Sequence, residues 1–202
     1  MFLDVRCPGC SGPRFSLFSP ICQQCVRPFS WSLPVHISGI SGGVAGALHQ
    51  GNSRNVVLAG KSGGRSAVFS QLGASFARTS VASECAIGCD VVTWVPASGD
   101  RSRVRGYDQG SILAESIARR LRLPVQRLVG RVDDGHQAGR SLEQRRVGPK
   151  IRSRFGAPPS VLLVDDVVTT GTSVRATTAA LRSAGAESVY VVALTIRQKA
   201  DN

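Results

Sequence analysis

Apolar and polar positions alternate in two distinct periods along this 202-residue chain. Asp90–Val95 is a β-branched run closed by Pro96-Ala97-Ser98-Gly99, as expected of a buried strand and its terminator. From about Ser111 to Leu121 the period changes: Ile112, Leu113, Ile117, Ala118 and Leu121 fall on one face of a helix. Val161–Val164 reads as a second strand, Val174–Ser183 as a helix stopped at Ala184-Gly185-Ala186, and Ser188–Ile196 as a last strand. Strands and helices in alternation predict an α/β fold, a parallel sheet flanked by helices. Nearer the N-terminus, Val68, Leu72, Ser75 and Phe76 have helical spacing within Ser66–Arg78. Val56–Ala59 fits a short strand or a helix start, and Pro28, Pro34 and the glycine-rich Gly39–Gly46 read as a loose connection.

The run Val161-Leu162-Leu163-Val164 ends in two aspartates, Asp165 and Asp166, and turns through Val167-Val168-Thr169-Thr170-Gly171-Thr172-Ser173 into a helix. A lone Asp-Asp after an apolar run is ordinarily a solvated strand end or an N-cap. Here the whole run argues for a ligand site at the carboxyl edge of a parallel sheet. Hydroxyls and unpaired N–H groups at the helix start suit a phosphate. Ionised carboxylates can only accept hydrogen bonds or ligate, so the pair suits sugar hydroxyls or a divalent cation. Phosphate at one end and diol at the other describes a ribose 5-phosphate.

Cys7-Pro8-Gly9-Cys10 and Cys22-Gln23-Gln24-Cys25 form two CxxC knuckles separated by eleven residues. Four thiolates so paired predict a closed, structural Zn²⁺ site held by Cys7, Cys10, Cys22 and Cys25, in preference to a redox pair. Cys85 and Cys89, without further Cys or His nearby, read as small buried residues. Gly60-Lys61-Ser62 invites a P-loop reading, which fails because Asn55 stands where that loop requires glycine. Lys61 is instead expected on a loop before a helix.

Composition changes the picture in one respect. The net charge is +12, and Arg101–Arg154 carries 14 basic against 5 acidic residues, so the positive field is concentrated. Such a field attracts polyanions, which admits nucleic acid as a partner, although Tyr107 within that stretch and Phe155 just past its end are too few aromatic side chains for single-strand stacking. An arginine-rich background composition is the alternative. No apolar stretch approaches a membrane span and no secretory layout opens the chain, so a cytoplasmic protein is expected.

The run Val161–Ser173 resembles the signature of the type I phosphoribosyltransferases, which bind 5-phosphoribosyl 1-pyrophosphate (PRPP) with Mg²⁺. The resemblance implies that Asp165 and Asp166 face the ribose hydroxyls and their metal, and that Thr169, Thr170, Gly171, Thr172 and Ser173 cradle the 5-phosphate. The two knuckles, Lys61, Val95-Pro96, Arg105-Gly106-Tyr107-Asp108-Gln109 and Leu142-Glu143-Gln144-Arg145-Arg146 widen the likeness to the ComF, or competence protein F-like, phosphoribosyltransferases. That resemblance implies a zinc ribbon at 1–32 and a phosphoribosyltransferase-like domain at 33–202. It gives Ala97, Ser98 and Lys61 to the pyrophosphate and Tyr107 to the PRPP site, and lets Arg101, Arg103 and Arg105 close over the leaving group. Tyr107-Asp108 departs from the Phe-Asn more often found in that family. In relatives that salvage 6-oxopurines, a carboxylate facing the purine stands three positions after the acidic pair. Thr169 occupies that place and cannot serve as a base. The implied function is Mg²⁺-dependent phosphoribosyl transfer to an unidentified acceptor, associated with competence and DNA uptake. The alternative is a PRPP-sensing protein of natural transformation that handles single-stranded DNA without turnover, with a DNA-uptake component as partner.

Overall fold

The structure, a computed structural model, describes residues 6–14, 19–62, 65–79, 84–97, 107–132 and 149–198. Five strands form the main sheet: β1 (Leu33–Pro34), β2 (Gly42–Leu48), β3 (Val91–Trp94), β6 (Ser160–Val168) and β7 (Ser188–Ile196), in the order β1-β2-β7-β6-β3. Only β1 is antiparallel; β2, β7, β6 and β3 run parallel. A separate antiparallel pair is made by β4 (Val129–Arg131) and β5 (Ile151–Ser153). The helices are α1 (Gln23–Val26), α2 (Gly51–Lys61), α3 (Ala67–Phe76), α4 (Gln109–Leu121) and α5 (Thr172–Ser183), with a 3-10 turn at Arg27–Ser30.

Two apolar layers follow from the strand period of two. On one face, Leu162, Val164, Val192 and Leu194 pack with Phe69, Leu72 and Phe76 of α3 and Leu113 and Ile117 of α4. On the other, Val161, Leu163, Val189 and Val191 pack with Val174 and Leu181 of α5. Each fully buried side chain of this size contributes about 1.5–3 kcal/mol. The cysteine unit is not a detached bead: Ile21 and Phe29 are wholly buried in the same cluster as Phe69 and Phe76.

The strands β3 and β7 and the helices α3 and α5 stand where hydrophobic periodicity expects them, within two residues. Three segments differ, each for a packing reason. Gly42–Leu48 is a strand rather than a loose connection, because its glycines let neighbouring backbones close in. A Cβ on Gly46 would lie 2.8 Å from the carbonyl oxygen of Phe29 and 3.2 Å from that of Leu194. Residues 51–61 form a helix whose buried face is Ser53, Val56, Val57 and Gly60, a heptad-like stripe in which serine and glycine replace larger apolar side chains. Lys61 is consequently the last residue of α2 and not part of a loop that precedes a helix. The third is β6, which runs to Val168, four residues past the expected Val164, because its pairing with β7 continues as far as Ile196. The helix α4 starts at Gln109, two residues early, as α5 does at Thr172. The Asp108 carboxylate accepts from the Gly110 N–H at 3.0 Å and caps α4, while Arg119 and Arg120 favour its C-terminal dipole end. Among the described residues no helix is long and apolar enough to cross a membrane.

Candidate functional site

Val161 to Val164 are fully buried because helices cover both faces of β6. The strand outlasts its neighbour: β3 stops at Trp94, opposite Val164, while β6 continues to Val168. Asp165 and Asp166 therefore sit where the sheet opens into a cleft of about 300 Å³. The Asp166 N–H donates to Asp165 Oδ1 at 2.8 Å, and Lys61 Nζ donates to Asp166 Oδ1 at 2.9 Å. Asp166 Oδ2 is buried with no partner. Burial, then the charge of Asp166, push the Asp165 carboxyl up to about 8, against the opposing pull of the Asp166 N–H and Lys61.

An orphaned buried carboxylate oxygen beside a second carboxylate is a donor set that fits a small, hard cation such as Mg²⁺, which takes oxygen ligands. The oxygens of Asp165 and Asp166 would hold it, and it would offset the repulsion that raises the Asp165 pKa.

Past the strand, Thr169 and Thr170 are exposed and Gly171 turns left-handed, φ 73°, to start α5 at Thr172. No side chain caps this helix, so its first N–H groups remain available to an anion. A Cβ on Gly171 would come 2.8 Å from Ile37 Cδ1, so both the dihedral and the space require glycine. Facing this turn, the Pro96 carbonyl accepts from Arg131 Nε at 3.1 Å, which brings a cation to the loop that follows β3.

One cleft thus brings together Asp165, Asp166, Thr169, Thr170, Gly171, Thr172 and Ser173 with Ala97 and Lys61. Tyr107 goes elsewhere: its hydroxyl donates to the carbonyl of Gly60 at the end of α2. Ser98 and Arg105, with Arg101 and Arg103, lie outside the described residues, as does Leu142–Arg146. Sequence patterns missed His49 and Arg131, which line the same cleft from the end of β2 and from β4. No local signal marks either; only the pairing of β2 with β7 and of β4 with β5 delivers them. Asp108, which caps α4, also accepts at Oδ2 from the Trp94 indole Nε1 at 2.9 Å.

The four thiols of Cys7, Cys10, Cys22 and Cys25 lie within 4.8 Å of one another. A tetrahedral zinc with Zn–S bonds of about 2.3 Å needs sulfurs ~3.8 Å apart, and Cys10 and Cys22 stand at 3.6 Å. All four are free thiols. Burial opposes ionisation of Cys7, but backbone N–H groups, led by that of Cys22, outweigh it and bring the thiol down to about 6. Cys22 and Cys25 are raised, first by burial and then, for Cys25, by the neighbouring thiols. The donor set fits Zn²⁺ and leaves no open position. Cys85 is half-buried and Cys89 buried, both pushed up by burial.

Residues 108–201 match the model of the phosphoribosyl transferase domain. The chain carries a phosphoribosyltransferase domain. It is also similar to competence protein F of Haemophilus influenzae, with 33% identity over 107 residues. That stretch is 48% of this chain and spans just under half, 46%, of the curated relative. Among solved structures it is similar to three enzymes. The first is described as the allosteric regulatory enzyme of purine biosynthesis, with 24% identity over 62% of this chain and 26% of that one, at a TM-score of 0.41. The second is a purine phosphoribosyltransferase from Pyrococcus horikoshii, with 17% identity over 65% and 72%, at 0.39. The third is a hypoxanthine phosphoribosyltransferase from Staphylococcus aureus, with 15% identity over 66% and 68%, at 0.42.

Proposed function

We propose that this phosphoribosyltransferase domain binds PRPP with Mg²⁺ and transfers its phosphoribosyl group to an acceptor. The observation that carries this is the unpartnered Asp166 Oδ2 beside Asp165, at one end of a cleft whose other end is an uncapped helix N-terminus. In this reading Asp165 and Asp166 hold the ribose hydroxyls and Mg²⁺. Thr169, Thr170, Gly171, Thr172 and Ser173 bind the 5-phosphate, and Ala97, Ser98 and Lys61 receive the pyrophosphate. Breaking the C1–O bond builds positive charge on the ribose and negative charge on the leaving group. The work of the chain is therefore positional and electrostatic: it fixes the sugar by its phosphate and aims cations and N–H groups at pyrophosphate. Arg105 would close over the leaving group and exclude water. Tyr107 would act on this site indirectly, through the end of α2 that carries Lys61. Residues 1–32 would hold Zn²⁺, and residues 33–202 the transfer chemistry, in the reducing cytoplasm where the thiols persist.

The excess charge of Arg101–Arg154 and the likeness to a competence protein support the second reading, a PRPP sensor that binds single-stranded DNA and serves DNA uptake without turnover. Calorimetric titration of PRPP with Mg²⁺ tests the shared core. Saturable heat is expected from the wild type and none from Asp165→Asn with Asp166→Asn; no heat from the wild type would sink both readings. Pyrophosphate release across nucleobases, amines and oligonucleotides then separates enzyme from sensor. Steeply salt-dependent retention of single-stranded DNA is expected if the second reading holds.

A further inference from the structure

Phosphoribosyl transfer to an N–H nucleophile leaves a proton that some group must take. Thr169, at the motif position a carboxylate fills in 6-oxopurine salvage relatives, has no such capacity. His49 lines the cleft at the end of β2, its backbone N–H donating to the Ile196 carbonyl at 2.8 Å. Its Nδ1 lies 3.0 Å from Thr195 Oγ1, and Thr195 Oγ1 donates to the Asp166 carbonyl at 3.2 Å. A hydroxyl has one proton to give. Both contacts are made at once when Nδ1 carries the hydrogen and Thr195 gives its own to the Asp166 carbonyl. In that tautomer Nε2 is unprotonated, on a ring that lines the cleft.

We infer that His49 is the proton acceptor for the incoming nucleophile, oriented by Thr195 from the strand next to the acidic pair. The inference rests on the transferase reading above. The acceptor nitrogen's lone pair forms the bond to C1, and the C1–O bond breaks with its electrons leaving on pyrophosphate. The N–H proton passes to Nε2, converting imidazole to imidazolium. Burial, then Lys61, Arg197 and Arg54, hold the ring neutral at physiological pH against the weaker pull of Asp166. The same cations speed return of the proton to solvent after transfer. Thr195 thus ties Asp166, which binds the sugar, to His49, which receives the nucleophile.

The test uses the full chain with PRPP, Mg²⁺ and the acceptor panel. His49→Asn keeps a donor for Thr195 but removes Nε2; His49→Ala removes both. Each is expected to give the wild-type heat of PRPP binding and an unchanged KM for PRPP, while kcat falls at least about 100-fold. Added imidazole is expected to restore part of the His49→Ala rate. Thr195→Val, which frees the ring without deleting it, is expected to fall between wild type and His49→Asn. A kcat unchanged in His49→Asn overturns the inference, and so does parallel loss of PRPP binding, which would make His49 structural. If the wild type gives PRPP heat but releases pyrophosphate with no acceptor, the transferase reading itself fails and takes the inference with it.

Discussion

The two walls of the cleft are built on opposite plans. One is written in consecutive residues: β6, the acidic pair, the turn and the start of α5 occupy Val161–Ser173 without interruption. The other is assembled. Lys61 meets Asp166 across 105 residues and His49 meets Thr195 across 146. A local wall depends on backbone geometry, which a turn residue fixes. An assembled wall depends on the helices and strands beneath it, and so on the core and the cysteine cluster. Damage to the first should change ligand binding with modest loss of stability, and damage to the second should cost stability first.

Removing the proposed Zn²⁺ is the severest test of that contrast. The helix α2 rests on the ribbon: Asn55 Nδ2 donates to the Gly9 carbonyl at 3.2 Å, and a Cβ on Gly9 would meet Val56 at 2.4 Å. Chelation, or Cys25→Ala, should destabilise the protein by well over ~5 kcal/mol, since structural zinc binds with about 10–16 kcal/mol in small fingers. Thermal unfolding with and without chelator reads this directly, and a melting temperature that does not move would break the claim that the far wall hangs on the cluster. Lys61→Ala comes next. It leaves the buried Asp166 carboxylate unpaired, so a loss of roughly 1–3 kcal/mol is expected in urea unfolding. A smaller loss in saturating Mg²⁺ would show that the cation takes over the pairing.

On the local wall, Gly171→Ala forces a left-handed residue and a contact with Ile37. It should cost about 1–2 kcal/mol of stability but weaken PRPP binding more than Lys61→Ala does, as calorimetry on the two variants would show. A pH dependence completes the set. With its native pKa raised to about 8 from an ordinary 3.8, Asp165 makes the ligand-free protein most stable where the carboxyl is protonated in both states. That stability is lost as pH rises between those two values, because the native state binds the extra proton. Asp165→Asn should flatten the fall in melting temperature from pH 5 to pH 8; an identical fall in the variant would reassign it to another group.

The same contrast explains what the sequence disclosed. Asp165, Asp166 and Thr169–Ser173 were legible because strand, turn and helix start are each specified by neighbouring residues. The cysteine cluster was legible because CxxC spacing is itself local. By contrast α2 was obscured, since Ser53 and Gly60 occupy half of its buried stripe and carry little hydrophobic signal. His49 has no motif at all. Its place is set by the register of β2 on β7, in which Leu48 pairs with Ile196. Tyr107 reads as a ligand contact only through the family resemblance, and its hydroxyl donates to Gly60 at the α2 terminus, a partner 47 residues away.

The strand β2 has a consequence measured in time. Apart from the two-residue β1, its sheet partner is β7, and the bond from Ser41 to Val189 joins residues 148 apart. At about 5–20 residues per second of synthesis, Gly42–Leu48 waits roughly 7–30 s for its neighbour. Through that interval an apolar strand would ordinarily offer its bare edge to any passing chain. Gly42, Gly43 and Gly46 are poor strand formers on their own, so the segment stays uncommitted until the closing strand arrives. The glycines that allow tight packing in the finished sheet also keep the nascent chain from pairing too soon.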